Sequence, residues 1–150
     1  MCLAICFIST IATAQKITES ALQGKWKMTA LTTQGVSLDI EKKEVTIPEE
    51  MKAQLPPETV QQIEESMKQA AEPLSESYMQ VEKGNITHVM GPQQEKGTFK
   101  ISDKDNKQFL TTTLEDGTSN EAEIAMVGNK LHVTQSDGVQ AANFIYTKQQ

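Results

Sequence analysis

The chain reads as a mainly β protein: an antiparallel up-and-down β-barrel of about eight strands, with a two-helix insertion after the first strands. Three observations predict it. Polar and apolar residues alternate with a two-residue period in run after run, as in strands with one buried face. Short turns built on Gly, Asn and Asp separate those runs. One stretch, residues 48–72, breaks the alternation with proline-bounded helical spacing.

Met1–Ala14, "MCLAICFISTIATA", carries no charged residue and ends in the small-x-small pattern Ala12-Thr13-Ala14. It reads as a signal peptide removed before Gln15, leaving one domain over residues 15–150 in a periplasmic or secreted setting. Its apolar run is shorter than the roughly 20 residues of a membrane-spanning helix, so no integral membrane segment is expected after signal removal. Cys2 and Cys6 leave with it, which excludes disulfides, thiolate metal sites and a cysteine nucleophile from the processed chain.

The strands follow in order. Lys25–Leu31 places Trp26, Met28 and Ala30 on one face, and Val36–Glu41 repeats the alternation. Past the insertion, Ser77–Lys83, Ile86–Met90, Gly97–Ile101, Gln108–Leu114, Asn120–Val127, Lys130–Gln135 and Val139–Lys148 alternate in close succession. Gly84-Asn85, Asp103–Asn106, Glu115–Gly117, Gly128-Asn129 and Ser136–Gly138 supply the turns. Within the insertion, Pro48-Glu49-Glu50 opens a first helix and Pro57-Glu58 a second, running to about Ala71. Val60, Ile63, Met67 and Ala70 share one face of the second helix, and Pro73 ends it. Closing the meander into a barrel removes its exposed edges. Trp26 then plugs the base as a large apolar wedge, an architectural role.

Several of these stretches resemble a known family. "GKW" at Gly24–Trp26 is similar to the Gly-x-Trp signature on the first strand of lipocalins. "EKGTFKIS" (Glu95–Ser102) followed by "NKQFLTTT" (Asn106–Thr113) resembles the central hairpin of small exported lipocalin-like domains of the calycin superfamily in bacterial envelopes. "GNKLHVT" (Gly128–Thr134) and "NFIYTK" (Asn143–Lys148) fit the same pattern, and the helical insertion is similar in position to the helix pair of fatty-acid-binding proteins. The resemblance implies a barrel that holds a small hydrophobic ligand. Lipocalins place an arginine over the tryptophan from the last strand, and fatty-acid-binding proteins hold a carboxylate with arginine and tyrosine. All fourteen basic residues here are lysines, so Tyr146 and Lys148 stand near those positions instead.

Chemistry-bearing motifs are sparse. His88 and His132 are the only histidines and sit on separate expected strands with no metal-ligand spacing, so no metal site and no cofactor are expected. No Gly-x-Ser-x-Gly elbow or glycine-rich phosphate loop occurs, and no enzyme activity is expected. A net charge of −6 and the lack of arginine argue against nucleic acid. The expected function is binding of a small hydrophobic or amphipathic ligand inside the barrel, lined by Met28, Met79, His88, Phe99, Thr111, Met126 and Tyr146, which alternation turns inward. Ile63 and Met67 belong to a helical lid. The alternative is a filled barrel that binds another envelope protein through its helix pair.

Overall fold

A computed structural model describes residues 15–150; the signal-peptide expectation for 1–14 lies outside the described residues. The chain forms ten strands: β1 (Gly24–Thr33), β2 (Val36–Asp39), β3 (Glu44–Thr46), β4 (Tyr78–Glu82), β5 (Asn85–Met90), β6 (Gln93–Lys104), β7 (Lys107–Leu114), β8 (Ser119–Val127), β9 (Lys130–Ser136) and β10 (Ala141–Lys148). Among the described residues three helices accompany them: α1 (Glu19–Leu22), α2 (Glu49–Gln54) and α3 (Pro57–Leu74).

From β4 to β10 each strand pairs antiparallel with the next, and β1 closes the ring by pairing with β10 on one side and β4 on the other. The result is an eight-stranded closed barrel with β2 and β3 as an extra flap. The flap exists because β1 is long enough to serve two neighbours. Gly24–Lys27 pair with β4, while Ala30–Thr33 pair with β2. Three strands thus precede the insertion, where the sequence predicts one or two; β3 is only three residues long, too short for a periodic signal.

Turn chemistry sets the hairpins. Lys83 (φ +49°) and Gly84 (φ +83°) form the β4–β5 turn, and Asp105 (φ +53°) and Asn106 (φ +61°) form the β6–β7 turn. Both central residues left-handed is the type I′ geometry that matches strand twist. The first turn therefore lies one residue earlier than the Gly84-Asn85 reading.

One end of the barrel, the base, is sealed from within and below. Trp26 is buried and its Nε1 donates to the Leu22 carbonyl at 2.8 Å. That bond fixes α1 beneath the ring, a turn of helix capped by Thr18 Oγ1 and not foreseen from the sequence. Gln108 clamps the strand end to the same segment: Ile17 N donates to its Oε1 at 2.6 Å, and its Nε2 donates to the Ile17 carbonyl at 3.0 Å. Lys148 closes the seam, its Nζ donating to the Ala21 carbonyl at 3.0 Å and lying 5.2 Å from the Trp26 ring centroid.

Above this plug, inward residues of the strands form one apolar core that includes Met28, Met79, Val81, Ile86, Phe99, Leu110, Ile124, Leu131, Val133 and Tyr146. The two insertion helices lie to one side of it. α3 packs on β2 and β3, with Ala71 fully buried and Met67 and Leu74 half-buried against the core. Pro73 lies inside α3 rather than beyond it, since the helix continues to Leu74 with Ser75 N bonded to the Ala71 carbonyl. α2 sits by the β1–β2 turn, where Gly35 approaches Met51 and Pro48. No described helix is long and apolar enough to cross a membrane.

Candidate functional site

The opposite end of the barrel, the mouth, is open. A cavity of about 610 Å³ occupies it, bounded by the ends of β1, β5, β6, β8, β9 and β10. Most of the lining comes from inward rows, while Ser119 and Glu121 of β8 and Ala141 of β10 edge the rim from the outward row. Thr33 and Ala142 are cross-strand partners on β1 and β10, and Ala142 also faces Gln135 on β9. His88 on β5 faces Glu95 on β6, and Gln93 lies beyond them at the rim. Asn120 on β8 faces Thr112 on β7. At its floor the cup continues into a smaller space of about 40 Å³ between His88, Glu95, Thr112, Asn120 and Gln135, backed by Leu110, Ala122 and Val133. The lining is a polar ring on an apolar floor, a layout suited to orienting one small molecule.

His88 is the chemically distinctive member. Trp26, Met79, His88 and Glu95 are successive cross-strand partners, so one inward row climbs from the base plug to the cup. The row places the imidazole at the boundary between packed core and cavity. Its Nε2 is buried and has no hydrogen-bond partner among the described residues. Burial lowers the His88 pKa below its ordinary value of 6.5, because the charged ring loses hydration without gaining a counter-ion close enough to compensate. The ring is therefore neutral near pH 7, with one nitrogen able to accept a hydrogen bond. A buried polar atom left unpaired costs free energy.

Charge around the cup is one-sided. Glu95, Glu121 and Asp137 border it, and among the described residues no lysine does. Their carboxylates are not equivalent. Asp137 Oδ1 accepts from Val139 N at 2.9 Å and Gln140 N at 2.7 Å, so it serves its own turn and its pKa is held down by those bonds. Glu121 meets Thr111 Oγ1 at 3.5 Å on the outer face. Glu95 alone points inward, beside His88, and makes no ion pair among the described residues.

The remaining expected ligand residues fall elsewhere. Met28, Met79, Phe99 and Tyr146 do point inward, but they are packed into the core beneath the cup. Burial accordingly raises the Tyr146 pKa far above its ordinary value. Thr111 lies on the outer face, because the inward row of β7 runs through Leu110 and Thr112. Met126 packs near the base and borders two grooves there, of about 570 and 330 Å³, remote from the mouth. Ile63 and Met67 do not line the cup, and Met67 packs against the core on the flank. His132 faces outward, its Nδ1 3.2 Å from Asn143 Nδ2. Among the described residues no cluster of three or more His, Cys, Asp or Glu groups is placed to hold a metal ion.

Reasoning from the sequence missed Gln93, Glu95, Asn120, Gln135 and Ala142. All five lie near strand ends where turn residues and polar side chains mix, so alternation carries no apolar signal there. The one available clue was parity: His88 faces the core, and counting across a tight β5–β6 turn selects Glu95 as its partner. Comparison of the chain with family models, curated proteins and solved structures found no match.

Proposed function

We propose that this protein is an exported, lipocalin-like binding protein that holds one small amphipathic ligand in the cup at the barrel mouth, without catalysing a reaction. The observation that carries the reading is the cavity itself: about 610 Å³, open to solvent at one end and floored by packed apolar core at the other. That volume falls in the range of small-molecule sites. The packed core also narrows the ligand class. A long alkyl chain has no tunnel to follow, because Met28, Met79, Phe99 and Tyr146 fill the lower barrel. Burying a short six-carbon arm contributes roughly 5 kcal/mol at about 0.8 kcal/mol per CH₂, which alone gives at best sub-millimolar affinity. The polar ring must supply the rest. Export follows from the Met1–Ala14 reading and places the cup in the periplasm or outside the cell.

The test is occlusion. Ala142 faces into the cup and is half-buried, so Ala142→Trp fills the mouth without disturbing the core below. Fluorescent uptake of 1-aminoanthracene by the unaltered protein, lost in Ala142→Trp at unchanged melting temperature, supports the reading. Equal uptake by both proteins places the probe elsewhere and overturns it.

A further inference from the structure

We infer that the cup takes a small organic cation, specifically an aliphatic primary ammonium whose charge lies against Glu95 and whose N–H groups reach His88 Nε2. The inference rests on the cup being the binding site and adds the chemistry of what it selects.

Three independent features converge. The first is the unpaired ring nitrogen. His88 Nε2 is buried, without a partner among the described residues, at the floor of a cavity large enough for a ligand. In the Nδ1–H tautomer that nitrogen is an acceptor, and an ammonium offers it three donors and no competing acceptor. The second is the carboxylate. Glu95 is the direct cross-strand neighbour of His88 on the same inward face, and no lysine borders the cup to neutralise it. An anionic ligand would meet Glu95 with no compensating cation, whereas an ammonium would gain a charge-assisted hydrogen bond. The third is the apolar floor. Leu110, Leu114, Ala122 and Val133 lie beside the polar pair, so the first methylenes next to the ammonium meet apolar surface, while the rest of an alkyl arm lies in the larger cup. The net charge of −6 further favours approach of cations over anions.

The experiment compares three probes with one carbon skeleton: hexylammonium, 1-hexanol and hexanoate, titrated calorimetrically into the full protein near neutral pH. Hexylammonium is expected to bind about tenfold more tightly than hexanol, the usual size of one charge-assisted hydrogen bond, and hexanoate more weakly than either. Glu95→Gln is expected to bring hexylammonium to the hexanol level. Glu65→Gln, the same charge change on the exposed face of α3, leaves the preference intact. In the unaltered protein, hexylammonium also shifts the His88 Nε2 resonance in ¹⁵N spectra. Equal binding of hexylammonium and hexanol, or equal effects of Glu95→Gln and Glu65→Gln, overturns the cation assignment and leaves a cup without charge selection. Failure of all three probes to bind, together with unchanged 1-aminoanthracene uptake by Ala142→Trp, overturns the cup reading as well.

Discussion

Gly97 shows how one residue can decide a barrel. It lies on β6 opposite Leu114 of β7 and Ile86 of β5, and a Cβ built there would overlap the backbone carbonyl of Thr113. The obstacle is backbone rather than a flexible side chain, so it cannot move aside cheaply. Gly97→Ala should therefore cost about 3 kcal/mol or more by overpacking, read as a lowered urea midpoint; a change within about 0.5 kcal/mol would mean that β6 and β7 separate freely there. Trp26 works by a different mechanism. Trp26→Phe keeps most of the apolar wedge but orphans the Leu22 carbonyl, at a cost of about 1–3 kcal/mol. His88 supplies a pH dependence. Above pH 6.5 its ring is neutral folded and unfolded; below 6.5 the unfolded chain binds a proton that the buried ring resists. Stability is thus expected to fall as pH drops from about 7.5 to about 5.5, and to fall less in His88→Gln. Parallel urea midpoints for the two proteins across that window would refute the buried, neutral assignment.

At the scale of elements, the helix pair is a flank rather than a cover. Met67, Ala71 and Leu74 of α3 pack against the barrel core beside β2 and β3, while the cup is bordered only by strands and their turns. Met67→Ala should cost about 2 kcal/mol, the low end for a methionine that is only half-buried, and leave probe uptake unchanged. Loss of uptake at full stability would restore the lid. The strands themselves were legible from sequence because each long one alternates and ends in a turn with a strong local preference. Both insertion helices were legible from their proline starts. What escaped is short or tertiary in origin. β3 exists because β2, itself paired to the second half of β1, offers its far edge, and α1 is held where it is by Trp26 on Leu22 and by Gln108 on the preceding Ile17. Neither has a period of its own to read.

For the whole molecule, the decisive feature is how far the core rises inside the barrel. Alternation tells which side chains point inward, and it placed Met28, Met79, Phe99 and Tyr146 correctly within. It does not tell how high the packing extends, since strand tilt raises each cross-strand row as it passes around the barrel. The row that begins at Trp26 in the plug ends at Glu95 in the open cup, so residues with identical parity serve opposite purposes. Thr111 escaped for a related reason: in the run Thr111-Thr112-Thr113 composition gives no hint of which parity faces in. On the proposed function, the cup carries a ligand in life. Native mass spectrometry of the protein purified from its own cells, followed by organic extraction, is the decisive experiment. One small basic, amphipathic molecule per chain is expected, absent from Ala142→Trp purified alongside. A chain that arrives empty and takes up neither hexylammonium nor 1-aminoanthracene would contradict it.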